Sequence, residues 1–376
     1  MDSATSDPAT TRYAAPYNVQ PCRRDPVFGL IKDRWRWSPG GAAGMFLVIY
    51  LGGNFLFSLM SGTAFPRPGL DLPFVRDRVA LVLYGFLVPV GISLAMRFYA
   101  QVESAFERIF AEGVVRASLD EYNQFLRKLD RLYNSVALHV LALALALAVF
   151  GYLTCYNETN GVRAWLNLSM GPGAVYQLVL GLIAWYSAHV VLCKVLITAW
   201  AISRVFDWPV NVQPLHPDGC GGFRLFTDVA VTIAFFTATM GMGVVLIILA
   251  GAILYGKPPS SIPVLLAVLL ESATPLVFFT CLYRAHRVMH EAKGTMLRQI
   301  HEHFQGPFRT LQQQMAQGDP AKAATEEVLR LESLHQVVHR MPVWPTNTQM
   351  LMQVVISVAV PLGLLVLQMV AEKVMK

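Results

Sequence analysis

The chain has 376 residues, of which 55% are hydrophobic and only 14% are charged, and its mean hydropathy is +0.46. These values exclude an ordinary water-soluble domain of this length and predict a protein whose outer surface faces lipid. The formal net charge of +6 fits basic residues beside an anionic leaflet, so it does not indicate nucleic-acid binding. Five cysteines without CxxC spacing argue against a disulfide framework or a zinc cluster.

Residues 1–40 form a polar and basic segment that is expected to lie in the cytoplasm. The segment has no continuous apolar stretch followed by a cleavage site, so we expect the first membrane span to act as the insertion signal. Its residues 28–37 have the sequence FGLIKDRWRW. A short basic and aromatic stretch beside a span is typical of an interfacial anchor on the inner leaflet.

Seven apolar stretches follow, and each is long enough to cross a hydrocarbon core of ~30 Å. They predict an all-α polytopic membrane protein with seven transmembrane helices. Lys and Arg are concentrated in alternate connections, which places the N-terminus inside and the C-terminus outside. The predicted spans are residues 44–61, 79–98, 135–155, 174–200, 227–254, 262–283 and 350–370.

The membrane region is divided into residues 41–283, which hold six spans, and residues 346–376, which hold the seventh span and a short outer tail. Between the second and third spans, residues 99–134 have apolar positions at helical spacing and predict cytoplasmic extensions of both spans, with a break at Gly113. Residues 284–345 predict a cytoplasmic helical hairpin with its turn at 318–320. Its apolar face needs a partner, either the rest of this chain, a second copy or a cytoplasmic protein.

Residues 208–226, WPVNVQPLHPDGCGGFRLF, form the most distinctive connection. Three prolines exclude a helix, and the glycines favour turns and close backbone approach. Two interpretations are open: the loop binds a cation or a nucleotide-like anion, or Asp218 accepts backbone N–H bonds and caps the next helix. The residues of this binding or structural site are His216, Asp218, Gly219, Gly221, Gly222 and Arg224.

Glu271 lies near the middle of the sixth predicted span, where an ionised acid costs on the order of 2.5 kcal/mol or more. Pro275, one turn later, frees a backbone carbonyl that a cavity could use. This pattern predicts an ion or proton site, and an acid bonded to a neighbouring helix for packing is the structural alternative. The other predicted members of an ion pathway are Asn54, His139, His189, Lys194 and Gln353.

Two pairs of histidines lie four residues apart on the two arms of the predicted hairpin: His286 with His290, and His335 with His339. Pairs at this spacing can bind one metal ion from a single helical face, or they can act as a pH sensor near neutrality. Solvated or stacked histidines on a polar face are the structural alternative. Beyond a divalent metal at this site, no cofactor is expected.

The LHPD-x-x-GG string at residues 215–222, together with Trp344-Pro345 ahead of the last span, resembles uncharacterised bacterial multi-pass inner-membrane proteins that carry an LHPD-x-x-GG cytoplasmic loop. This resemblance implies a bacterial inner-membrane location and brings no activity with it. The topology of seven spans with an inside N-terminus is also similar to that of insect chemoreceptor channels, which is an analogy of architecture alone.

Several functions stay open at this point. The midplane acid and the Pro361 kink in the last span favour a homo-oligomeric ion channel for an inorganic ion. The first alternative is a proton- or cation-coupled secondary transporter that uses Glu271; it predicts a substrate cavity within one chain, whereas a channel predicts a continuous pore or a path on a symmetry axis. The second is a signalling or scaffold protein that binds a cytoplasmic partner through the hairpin. A membrane enzyme, with His216, Asp218 and the hairpin histidines as candidate metal ligands, is less expected, because the sequence has no HExxH, GxSxG or suitably spaced paired acids.

Overall fold

The computed structural model describes residues 15–159, 162–255, 261–317, 322–346 and 348–374. This part of the chain is helical and contains no β-strand. Seven of its helices are long and apolar enough to cross a membrane, which confirms the seven predicted spans. We number the helices α1 (Pro39–Met60), α2 (Arg78–Ala111), α3 (Leu119–Tyr133), α4 (Val136–Thr159), α5 (Pro172–Val205), α6 (Arg224–Tyr255), α7 (Ser261–Gln317), α8 (Lys322–Arg340) and α9 (Thr348–Val374).

Several helices continue well beyond the predicted spans. The longest, α7, has 57 residues and therefore a length of about 86 Å, far more than a bilayer core. It continues without a break from the sixth span into the first arm of the hairpin, and α8 packs against it as the second arm. The predicted turn at 318–320 lies outside the described residues. The predicted break at Gly113 is present, because α2 ends at Ala111 and Gly113 has a φ of 68°.

The spans pack around α6, which has the largest buried share of the seven. Helix α6 contacts α2, α7 and α9; α5 contacts α4, α1 and α7. Helices α4 and α9 lie at the perimeter and expose rows of leucine and valine, as expected of surfaces that face lipid. We call the end of the bundle that carries α3, α8 and the end of α7 the hairpin side, and the opposite end the loop side.

The N-terminal segment is more deeply packed than an interfacial anchor. Phe28 and Ile31 are buried in the main apolar core, against the hairpin-side part of the bundle. Trp35 and Trp37 are exposed at 45% and 39%, so only the last residues of the segment are placed to meet a membrane interface.

Candidate functional site

A cavity of about 280 Å³ lies inside the bundle, between α1, α2, α4, α5 and α6. Its wall runs from Phe46 and Tyr50 in the middle of α1 to Asp77 and Glu158 on the loop side. This volume is close to the lower end of small-molecule sites, roughly 300–1,000 Å³. The cavity is formed by one chain alone and can hold a small molecule within the membrane region.

Two irregular helical turns frame the cavity. Helix α1 widens into a π-helical turn over Val48–Gly53, and α2 does so over Leu83–Leu87. Tyr50 and Tyr84 belong to these turns, line the cavity, and have ring centroids 5.9 Å apart. A π turn accommodates an extra residue in a helix and is frequent at functional sites. On the same wall, a Cβ added at Gly91 would have open space within 4 Å, so the missing side chain contributes to the cavity.

The cavity wall contains polar atoms that have no hydrogen-bond partner among the described residues. Ser187 is 4% exposed, and its Oγ is unpartnered; the same holds for Oε1 of Gln177. Nε2 of Gln177 donates to the Tyr84 hydroxyl. The Tyr50 hydroxyl donates to the Leu180 carbonyl at 2.8 Å. A buried polar group without a partner costs roughly 1–3 kcal/mol. Ser187 and Gln177 are therefore positioned to bond a ligand.

Glu271 lies outside this cavity, at the contact between α7 and α6. Its side chain is fully buried, and neither carboxyl oxygen has a hydrogen-bond partner within the described residues. A Cβ at Gly241 of α6 would lie only 2.2 Å from Oε1, so this glycine makes the space that the carboxyl occupies. Val245 and Ala267, one turn away on the two helices, belong to an apolar cluster. Glu271 is thus an isolated acid in apolar surroundings.

Helix α6 borders both features. Met240, Gly243 and Val244 face the cavity, whereas Gly241 faces the Glu271 carboxyl. Positions 240 and 241 point about 100° apart on a helix, so the two features contact different faces of the same helix. A shift of α6 that changes the space around Glu271 would also change the cavity wall.

The residues predicted for an ion pathway do not converge on Glu271. Lys194 bonds to the N-terminal segment, and Nδ1 of His139 is 2.8 Å from the Tyr186 hydroxyl. Nδ1 of His189 is 2.7 Å from the carbonyl of Trp185 on its own helix.

The two amides of that set are also apart from Glu271. Asn54 donates to the Tyr50 carbonyl at 2.7 Å, and Gln353 is exposed on α9. Within the described ranges, no hydrogen bond or ion pair joins Glu271 to any of the five other predicted members, and none of the five lines the cavity.

Lys194 instead forms a fully buried ion pair with Asp25. The Nζ is 3.2 Å from Oδ2, and both side chains have 0% exposure. Nζ also donates to the Pro21 carbonyl at 2.8 Å, the Tyr99 hydroxyl donates to Oδ2, and the Phe28 N–H donates to Oδ1. These bonds fix the N-terminal segment against α5 and α2. Because Phe28 lines the cavity, the fixed segment forms part of its hairpin-side wall.

The loop at 208–226 has the contacts of the structured-turn interpretation. Oδ1 of Asp218 accepts from the Cys220 N–H at 2.8 Å, and Oδ2 accepts from the N–H groups of Gly222 and Arg224 at 3.0 and 3.2 Å. His216 Nδ1 is 2.8 Å from Oδ1. Burial acts to raise the pKa of Asp218, but these N–H donors hold it below its ordinary value. Arg224 begins α6. The glycines that adopt positive φ here are Gly219, Gly221 and Gly222.

The hairpin histidines have structural partners. Nδ1 of His286 is 2.8 Å from the Val343 carbonyl, and the ring stacks on Trp344 at 4.0 Å. His335 and His339 stack with ring centroids 5.8 Å apart. In the ranges that the structure describes, no three His, Cys, Asp or Glu side chains are grouped to hold a metal ion. The metal site stays a prediction.

No family model, curated protein sequence or solved structure matches the chain. The functional interpretation of the cavity therefore depends on the geometry of this chain alone. The predicted site residues did not include Tyr50, Tyr84 or Gln177, because single tyrosine and glutamine residues in apolar spans have no spacing that marks them. The π turns at Tyr50 and Tyr84, and the cavity that all three residues line, identify them only in three dimensions.

Proposed function

We propose that this chain is a proton- or cation-coupled secondary transporter that binds a small molecule in the cavity between α1, α2, α4, α5 and α6. The observation that carries the proposal is the single-chain cavity with two unpartnered polar groups in its wall. A buried acid on α7, which packs against another face of the wall helix α6, supplies the second part that coupled transport needs, because acids inside the membrane serve as proton or cation sites.

The packing at Glu271 suggests how the two sites would communicate. The carboxyl contacts α6 so closely that a methyl group at Gly241 would overlap it. An ionised carboxylate needs water, a cation or several donors around it, and the packed α6 and α7 provide none within the described residues. Loss of the proton therefore requires α6 and α7 to separate. Since α6 also forms a cavity wall, this movement would change the substrate site.

The orientation follows the distribution of Lys and Arg, which assigns the hairpin side to the cytoplasm. We place the protein in a bacterial inner membrane on the resemblance of its LHPD-x-x-GG loop. With Phe28 at the hairpin-side end of the cavity, the described conformation would be closed toward the cytoplasm. Inward release would then require the N-terminal segment or its neighbours to move.

The ion-channel hypothesis has less support from the geometry. Of its predicted pathway, Lys194 and His139 have partners elsewhere, and Gln353 faces outward. A conducting path along these residues would have to pass through several copies of the chain. The homo-oligomer stays a prediction.

Flux measurements in proteoliposomes test the proposal. Purified protein is reconstituted with a pH-sensitive dye inside, and proton movement is recorded under Na⁺, K⁺ and pH gradients, with and without N-phenyl-naphthylamine as a small apolar substrate probe. We expect proton movement only when the probe is added, and its loss in Glu271→Gln. Glu291→Gln is the matched control, because Glu291 lies on the same helix but is exposed beside Arg287.

Two results would contradict the proposal. Steady cation or proton current in the absence of probe would favour the channel. Probe-dependent proton movement that Glu271→Gln leaves unchanged would remove Glu271 from the coupling step.

A further inference from the structure

The cavity wall limits the charge of any ligand. Its lining residues, all in the described part of the chain, include no Lys, Arg or His. The two acids at the loop side are engaged: Asp77 accepts from the Ala80 N–H and from Trp165 Nε1, each at 2.9 Å, and Glu158 accepts from the Leu168 N–H. A buried charge without a counter-charge is strongly unfavourable. The wall therefore disfavours an anionic ligand, and because both acids already accept N–H bonds it suits a neutral ligand better than a cation.

The unpartnered polar atoms favour a ligand that carries a hydrogen-bond donor. Oε1 of Gln177 can only accept a hydrogen bond, and Oγ of Ser187 can accept or donate one. The two residues lie ten positions apart on α5, which is about 15 Å along the helix axis. A ligand with an N–H or O–H donor can bond to either atom, while the aromatic wall contacts its apolar body.

A second cavity shows a route by which such a ligand could arrive. It has a volume of about 260 Å³ and lies between α4, α5, α6 and α7. Trp185, Leu153, Val244 and Ile247 line both cavities, so these side chains form the partition between them. Both cavities lie between α4 and α6.

The second cavity lies at the lipid-facing perimeter. Ala148, which lines it, is exposed. The neighbouring Leu147 of α4 and Leu265 of α7 are also exposed, at 52% and 59%. In a membrane, exposed apolar side chains on perimeter helices face acyl chains rather than water.

We infer that the cavity takes a neutral, lipid-dissolved molecule with an apolar body and a hydrogen-bond donor, which enters the second cavity from the bilayer between α4 and α7 and then passes Trp185. This inference names the substrate class of the proposed transporter, and it rests on that function only for the steps after binding.

Probe binding in lipid nanodiscs tests the ligand class. N-phenyl-naphthylamine has an apolar body and one N–H donor, and anilinonaphthalene sulfonate has the same rings with an added sulfonate. We expect energy transfer from tryptophan to the neutral probe and at least about tenfold weaker binding of the sulfonated one. Gly91→Phe, which fills the cavity, should reduce neutral-probe binding about tenfold or more. Gly151→Phe on the exposed face of α4 is the matched control.

The polar wall is tested by Ser187→Ala and Gln177→Leu. Loss of a hydrogen bond to the probe should weaken binding about three- to tenfold in at least one variant. Equal binding of both probes, or neutral-probe binding that Gly91→Phe does not change, would overturn the assigned ligand class.

The entry route is tested by binding rates with the probe already dissolved in the bilayer. Ala148→Phe partly fills the second cavity and should slow association and dissociation alike, by about threefold or more, because it obstructs the route and leaves the site intact. Ala144→Phe, one turn earlier on the exposed face of α4, is the control. Unchanged rates in Ala148→Phe would overturn lateral entry.

The two proposals fail in different ways. If the neutral probe binds as expected but moves no protons in proteoliposomes, the ligand class holds and the transport function is wrong. If probe-dependent proton movement occurs without binding at this cavity, the transport function holds and the assigned ligand site is wrong.

Discussion

Two of the sites with buried ionisable groups in the described part of the chain have opposite surroundings. Lys194 and Asp25 form an ion pair in which Pro21, Phe28 and Tyr99 supply further hydrogen bonds. Glu271 is equally buried but has no partner for either oxygen in the described ranges, and only Gly241 makes room for it.

This difference separates a structural charge from a functional one. A buried pair with its hydrogen bonds complete is fixed in place, because removing either partner leaves the other unpaired. A buried polar group without a partner is an exception among native proteins and is explained most simply by a ligand, a proton or a change of state. Lys194 thus fixes the N-terminal segment, whereas Glu271 is the residue for which we propose proton or cation exchange.

The largest expected effect comes from breaking the partnered site. Lys194→Met keeps an unbranched side chain but leaves Asp25 buried without its cation, which should cost about 3–5 kcal/mol of stability. The N-terminal segment should also become sensitive to protease. Thermal unfolding in detergent and limited proteolysis measure the two effects.

Two further variants sharpen the contrast. Asp25→Asn added to Lys194→Met should recover part of the stability, because the amide oxygen can still accept from the Phe28 N–H. Glu271→Gln should cost less than about 1 kcal/mol, since one neutral group replaces another in the packed state. Equal losses in Lys194→Met and Glu271→Gln would contradict the division into structural and functional charges.

An intermediate effect is expected from filling the space beside the unpartnered site. Gly241→Ala places a methyl group against the Glu271 carboxyl and should destabilise the protein by about 1–3 kcal/mol, as overpacking does. Gly243→Ala is the control, because its Cβ would meet only Leu83 Cδ1, at 3.6 Å. Combining Gly241→Ala with Glu271→Ala should remove the penalty of the first substitution. Additive losses in a double-mutant cycle would show that the two residues are not in contact.

The smallest effect concerns the loop carboxylate, which is partnered by backbone groups instead of a cation. The pKa of Asp218 is lowered in the folded protein from an ordinary value of 3.8. Its contribution is therefore fully present above that value and is lost as the pH falls through the lower folded pKa. Asp218→Asn should flatten this acid limb and lower stability at neutral pH by about 1 kcal/mol. Unfolding midpoints measured across acidic pH test this prediction. An unchanged decline in stability at acidic pH would contradict the role assigned to Asp218.

Some features could be predicted because they depend on local sequence and on the solvent. The seven spans follow from length and hydropathy, since every backbone polar group in lipid must be bonded within a helix. The helix break at Gly113 and the positive φ of the loop glycines follow from the absence of a Cβ. Glu271 is predicted to be a functional candidate because an acid in the middle of a span is costly whichever way its side chain points.

Other features required the rotation and packing of whole helices. Asp25 is 169 residues from Lys194 in sequence and lies outside every span, so no spacing rule relates the two. The predicted ion-pathway residues do not converge on Glu271 in this chain for the same reason, because depth along separate helices does not determine which faces meet.

The sequence by itself thus determined the membrane environment, the seven spans and the buried acid at Glu271, because hydropathy and backbone hydrogen bonding act within each segment. Only the tertiary structure decided that Tyr50, Tyr84, Gln177 and Ser187 share one cavity, and that Lys194 has a partner while Glu271 has none in the described ranges. Those outcomes depend on which faces of separate helices pack together, and many arrangements satisfy the same apolar pattern.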